Sequence, residues 1–497
     1  MNQHINIVWL KRDLRITDHA PLQAAIRAGQ PTILLYCFEP GLMVHPNYST
    51  RQWRFIWESL EDMQAALKPY GCQVLICHNE VLATLNVLQE EYGIRQIFSH
   101  QETGVKLTFD RDIAVKKFCQ NHSIEWQEYD QDGIIRGLSN RKNWVQYWLK
   151  TITTQAMVKV EMSNFQPFEP LHDIYKKIKG DTLPKAITTS RKDFQKGGTS
   201  VAWRYLKSFT EKRSKQYMKQ ISKPALSRHS CSRISPYVAV GCVSLREAYQ
   251  WAETAMDVPG FKFQQKNFLA RLRWRSHFMQ KLESEWQIEF EPTNKTFKTL
   301  DRQYDAPLFE AWAEGRTGIP MIDANMRCLI ATGYTNFRMR AMLTTFATFT
   351  LWQDWKPVSK HLSRLFLDFE AGIHYGQMQM QAGLTGYNTL RIYNPYIQSE
   401  KNDSEGDFVR KWVPELAEVP TPNIFRPHLM TPMEQTFYNC IIGKDYPQPI
   451  VDVAENNRKY RNHYWQYRSS PAAKAVVKEI LTLHCIPNDE RKGRKNG

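Results

Sequence analysis

Long apolar runs are missing from this sequence: the longest unbroken one, Ile33–Phe38, falls far short of the ~18 residues that span a bilayer. The opening Met-Asn-Gln-His is not a basic-then-apolar leader, so the expectation is a cytoplasmic chain with no membrane partner. CxxC pairs are missing too. The nine cysteines, at 37, 72, 77, 119, 231, 242, 328, 440 and 485, are scattered and odd in number, as reduced thiols are, which sets aside a zinc ribbon or an iron–sulfur run. No metal is expected. HExxH, a P-loop and GxGxxG are also absent, so the commonest hydrolytic and nucleotide signatures do not apply. Fixed-period repeats and low-complexity tracts are lacking, apart from a charged end, 488–497, expected to be a frayed basic tail.

What is present is positive charge. The 66 Lys+Arg against 50 Asp+Glu leave +16, which favours phosphate-rich partners such as nucleic acid, although excess Lys also keeps a large protein dispersed. At 497 residues and 42% apolar content, two or three packed domains fit and a disordered or fibrous chain does not.

From residue 5 to about 130, strand-like runs Ile5–Leu10, Thr32–Phe38, Gln73–Cys77 and Gln96–Phe98 alternate with amphipathic stretches, predicting βαβ units and a Rossmann-like parallel sheet in an α/β domain, 1–130. The clearest helix is Arg51–Leu67, whose Trp53, Ile56, Trp57, Leu60, Met63 and Leu67 form a core-facing stripe. Residues 131–196 are polar and Lys-rich and read as an inter-domain linker with a short helix or two. From 197 to 487 the windows are helical: Val201–Gln220, Ser244–Ala255, Phe263–Leu282, Ile322–Ala331, Met339–Gln353 and Val358–Phe369. Within them Met342–Trp352 carries almost no charge and reads as a helix buried on all sides of an all-α domain.

The densest chemistry lies in Lys266–Phe278. On a helix Arg271 and Arg275 stand one turn apart with Trp274 beside them, a pairing of cation and stacking plane that suits phosphate and base, or equally a solvated face beside a core Trp. In Ser232-Arg-Ile-Ser235, two hydroxyls and a guanidinium can serve a pyrophosphate or merely cap a helix.

Trp9-Leu-Lys-Arg-Asp-Leu-Arg15 with Asp18, then Glu102, Arg111 and Asp112, resembles the opening of the cryptochrome/photolyase family. The likeness continues in order through Ser232–Gly241, Trp274-Arg275, Gly315–Pro320, Asp323–Arg327, Arg391–Pro395, Gly406, Arg410, Trp412 and Pro414–Leu416. It implies an α/β domain joined to a helical domain that binds folded-back FAD, with light-driven electron transfer to a pyrimidine dimer flipped out of damaged DNA. By resemblance Tyr217, Cys231, Ser232, Arg233, Ile234, Ser235 and Phe268 belong to the cofactor site, as do Arg271, Arg275, Arg340 paired with Asp368, Glu370 and His374. Trp274 is the aromatic wall for the dimer and Arg275 its neighbouring cation.

Several positions depart from the family pattern. Cys231 replaces a Thr, Arg271 a Glu that bonds the dimer, Phe337 an Asn, Glu370 an Asp, and His374 the Asn beside flavin N5, where a His can also donate or pass a proton. Met378 replaces the tryptophan nearest the flavin in the usual electron chain and Met380 another aromatic; Trp355 keeps the next link, and Tyr334, Tyr375, Tyr387 or Trp352 are the substitutes to consider. The activity implied is that of a deoxyribodipyrimidine photo-lyase, lesion type open, with a cryptochrome-like photoreceptor as the alternative. A folate or deazaflavin antenna is not distinguished by any residue, and a monomer is the default.

Overall fold

The computed structural model describes residues 4–487; the tail expected at 488–497 lies outside them. Five parallel strands, β1 (Ile5–Trp9), β2 (Thr32–Cys37), β3 (Val74–Cys77), β4 (Ile94–His100) and β5 (Glu125–Tyr129), form one sheet in the order β3-β2-β1-β4-β5. Successive side chains enter opposite cores: Val8, Leu34 and Phe98 join one, Ile7, Leu35 and Ile97 the other. Both faces are therefore covered, which is why β1 and β2 read as continuous apolar runs. The sequence reading missed β5, because Glu-Trp-Gln-Glu-Tyr is a half-exposed edge strand with no apolar run.

The remainder is helical. The helices that build the site are α1 (Thr50–Leu67), α2 (Lys262–Ser284), α3 (Phe337–Thr345), α4 (Trp355–Leu365) and α5 (Ala371–Gln381). Residues 342–352 are buried throughout, the last turn before Leu351 being a π-helix over Phe346–Thr350. No helix among the described residues is long and apolar enough to cross a membrane.

Two features position the site. Between the expected domains, residues 131–196 are not simply a surface connection: Arg141, Trp144 and Trp148 are fully buried, and Gln280 of α2 brackets Ile135 with hydrogen bonds of 2.8 Å to its amide and 2.8 Å to its carbonyl. The physical reason is the pair of Trp residues in the short helix Trp144–Leu149, which is too apolar to leave in water.

The second feature is the loop after β1. Arg12 Nη1 donates to Ala239 O (3.1 Å), Arg15 Nη1 to Gly241 O (3.1 Å), and Asp18 accepts from Ser244 (2.6 Å) and Arg246 (2.7 Å). At Gly241, φ is +73° and a Cβ would stand 2.2 Å from Arg12 O, so only glycine lets the two backbones meet. The Trp9–Asp18 motif is thus the clamp between sheet and helices.

Candidate functional site

Helix α1 begins the site. Its Gln52 side chain donates to Phe366 O (2.7 Å) and Ser363 O (3.0 Å), and Arg51 reaches Leu365 O (2.9 Å), fixing the chain that enters Asp368–Glu370. Glycine then brings α5 onto α2: a Cβ at Gly372 would meet Met279 Cα at 2.6 Å, and one at Gly376 the Phe278 ring at 2.6 Å. With the helices this close, Glu370 at the entry to α5 reaches Arg275 of α2.

Arg340 of α3 donates from Nη2 to Asp368 Oδ2 at 3.0 Å and brings Nη1 within 2.9 Å of Oδ1 as an ion pair, while its Nε donates to Thr335 O. Burial works against the Asp368 carboxylate, but the Arg340 charge and hydrogen bonds from Arg340 and Ser235 outweigh it and hold its pKa below the usual range. The Asp368 side chain is largely buried while Arg340 keeps 25% of its side chain exposed, so the pair sits at the edge of the interior.

Beside it lies a basic wall. Ser232, Arg233 and Ile234 lead into the short helix Ser235–Ala239, with Arg233 left-handed at φ +61°. The Arg233 guanidinium sits 3.6 Å over the Tyr334 ring, and its buried Nε has no hydrogen-bond partner. Arg213, which the sequence reading overlooked, clamps the same segment: it donates to His229 O (2.9 Å), Ser232 O (3.1 Å) and Cys231 O. Burial pushes the Cys231 thiol up to about 11, so it is a neutral lining group. Tyr217 is buried and hydrogen-bonded to Arg271. Phe268 packs on Phe209 behind Tyr217, a core position. Arg213, Arg228, Arg233, Arg271 and Arg340 converge on the Cys231–Tyr334 wall, with Asp368 as the carboxylate facing them. A wall with this excess of guanidinium and an orphaned buried donor suits a dianionic pyrophosphate such as that of FAD.

Two expected roles change. Arg275 is not a free cation: its Nε donates to Glu370 Oε2 (2.9 Å), Nη2 to Glu370 Oε1, and Nη1 pairs with Asp132 of the inter-domain segment at 2.9 Å. Burial opposes this charge, but the two carboxylates outweigh it and hold the guanidinium protonated. His374 is not placed as a proton donor. Its Nε2 is 2.9 Å from Ser359 O, so Nε2 carries the proton and Nδ1 can only accept; Phe366, Phe369 and Tyr375 enclose the ring, and burial takes its pKa down to about 4. Trp355 at the start of α4 and Met378 in α5 are both buried, each about one helical turn from the Ser359–His374 contact.

The imidazole has a consequence for stability. An unfolded histidine titrates near 6.5, whereas His374 in the fold resists protonation until about 4, so its contribution is complete above pH 6.5 and is lost as pH falls through that window, about 2 kcal/mol by pH 5. His374→Asn should lose less melting temperature than the parent between pH 7 and pH 5. Parallel melting curves would contradict this.

The exposed side of the site is aromatic. Trp274 is 50% exposed, its ring 5.6 Å from His277 and 5.9 Å from Phe278; Phe337 is 48% exposed and lies 5.9 Å from the Arg271 guanidinium. The second-chromophore expectation meets a tighter space. In the sheet's crevice Arg12 bonds Glu102 (3.0 Å) and Arg111 bonds Glu39 (2.8 Å) and Glu102 (2.6 Å). The cavity beside it, lined by Arg12, Arg15, Asp18, His100, Asp132 and Arg246, holds 210 Å³. Small-molecule sites run ~300–1,000 Å³, so an antenna there requires side chains to move.

Residues 6–154 match the family model described as DNA photolyase, and residues 268–466 the one described as the FAD binding domain of DNA photolyase. A cryptochrome DASH of Gloeobacter violaceus is 25% identical over 94% of this chain and 99% of its own. A deoxyribodipyrimidine photo-lyase of Alkalihalophilus pseudofirmus is 25% identical over 92% and 96%. A class III photolyase crystal structure from Agrobacterium tumefaciens superposes with a TM-score of 0.81 at 22% identity, covering 95% of this chain and 99% of that one.

Proposed function

Because the chain belongs to the cryptochrome/photolyase family and carries its FAD-binding domain, we propose that it repairs ultraviolet-induced pyrimidine dimers in DNA, as a cytoplasmic monomer. The observation that supports this best is the half-exposed ring of Trp274, packed on Phe278 and His277 and left open to solvent as a stacking plane.

Bound FAD, when reduced and lit, supplies one electron to the dimer. The protein's own groups do the rest. Arg213 holds the 229–232 carbonyls so that Ser232, Arg233 and Ser235 can take the pyrophosphate. Arg340 and Asp368 fix the ring end. Trp274 and Phe337 offer stacking planes to bases extruded from the duplex, and Arg271, exposed beside Phe337, places a cation where a dimer acquires negative charge. The +16 surplus draws the DNA backbone.

Trp274→Ala should weaken binding of a dimer-containing oligonucleotide by about 1–3 kcal/mol while leaving undamaged DNA nearly unaffected. Equal losses on both, or none, would remove Trp274 from the lesion site. A photoreceptor without repair is the second reading. It is favoured by the full engagement of Arg275 with Asp132 and Glu370, which withdraws one of the two cations expected at the lesion.

A further inference from the structure

Tyr375 stands in a setting that differs from every other aromatic considered for electron supply. It is buried in α5, its ring 5.5 Å from that of His374 and so one side chain removed from the Asp368–Glu370 edge of the cofactor site. Its hydroxyl accepts a hydrogen bond from Asn47 Nδ2 and donates its own proton to Glu289 Oε1 at 3.4 Å. Glu289 in turn accepts from the Lys106 amide (2.7 Å) and lies 3.9 Å from His45 Nε2, whose side chain reaches solvent. A phenol, a base and an exit to water are therefore in sequence.

The rivals stand beside cations. Tyr334 lies under the Arg233 guanidinium at 3.6 Å, and Trp352 has Arg302 at 4.7 Å; a cation over a ring opposes removal of an electron from it. Tyr387 accepts from the Lys281 ammonium at 2.8 Å, which also disfavours oxidation. Trp355, buried, is the remaining competitor.

We propose that Tyr375 is the electron donor to photoexcited oxidised FAD in this chain, with its phenolic proton passing to Glu289. One electron leaves the ring for the flavin, the phenolic O–H breaks, and the proton bonds to Glu289 Oε1, leaving a neutral phenoxyl. A thiol or other one-electron reductant from solvent restores the phenol as Glu289 returns the proton. The groups facing Glu289 suit this: Lys106, His45, Tyr375 and Tyr48 are its titratable neighbours, and burial pushes its carboxyl up to about 7, so it is available as a base at neutral pH. The proposal rests on the FAD reading and not on repair.

The test uses FAD-loaded, fully oxidised protein without DNA, carrying ring-deuterated tyrosine, frozen under blue light and read by electron paramagnetic resonance. A tyrosyl signal is expected in the parent. Tyr375→Phe should abolish it and slow light-driven flavin reduction at least about tenfold, and Glu289→Gln should remove the slowing that D2O imposes on the parent. Absence of a tyrosyl signal in the parent overturns the proposal, as does an unchanged signal in Tyr375→Phe or dependence on Trp355 alone. If Tyr375→Phe does not hold FAD, the parent spectrum and the Glu289→Gln isotope effect decide.

Discussion

Asp368→Ala is expected to yield protein that folds but is nearly colourless, with most of its FAD lost and its melting temperature lowered. Arg340 donates one hydrogen bond to this carboxylate at 3.0 Å and brings a second nitrogen within 2.9 Å of its other oxygen; removing one member of a buried pair costs about 3–5 kcal/mol, an upper bound here because Arg340 keeps 25% of its side chain exposed. The effect is larger here than at an ordinary pair. Arg228 and Arg233 already weigh on the same wall, so the variant adds an uncompensated cation to a region in excess of positive charge. Asp368→Asn keeps one acceptor for Arg340 and should lose less. Stoichiometric flavin in Asp368→Ala, measured by absorbance against protein concentration, would show that the pair does not hold the cofactor.

Arg275→Ala should be the more damaging change for the fold itself. The guanidinium satisfies Glu370 through two nitrogens and Asp132 through a third, joining α2, the entry to α5 and the turn that opens the inter-domain segment. Without it the buried Glu370 carboxylate faces the half-buried Asp132. Burial already pushes the Glu370 carboxyl up even with Arg275 present, so in the variant Glu370 must take a proton or draw in water. The expected loss is again about 3–5 kcal/mol, read as a lower urea midpoint, with partial recovery in acid as Glu370 becomes neutral. Arg275→Lys should not rescue, since an ammonium cannot span both carboxylates. A midpoint within error of the parent would place the Asp132 and Glu370 contacts among dispensable ones.

Much of the architecture was readable from residue order because it rests on local pattern. Four strands showed as apolar runs, since both faces of the sheet are covered, and the stripe on α1 announced its buried side. What escaped notice depends on contacts made far along the chain. Asp132 looked like part of a polar connection, and nothing within its own neighbourhood says that Arg275 is its partner. Arg213 likewise has no motif; its role follows only from the carbonyls that the 229–232 segment turns toward it. His374 was legible by position but not by direction: Ser359 O, on another helix, decides which ring nitrogen keeps the proton. The same holds for Tyr375, whose meaning comes from Asn47 and Glu289, on elements remote in sequence.

The most direct measurement is photochemical. Reduced, FAD-loaded protein is mixed with an oligonucleotide carrying one cyclobutane pyrimidine dimer or, separately, one (6–4) product, and intact bases are counted by chromatography after blue illumination and in darkness. Light-dependent disappearance of one of the two lesions is expected, abolished or strongly slowed in Trp274→Ala. Persistence of both lesions under light, with flavin content unchanged, would contradict it.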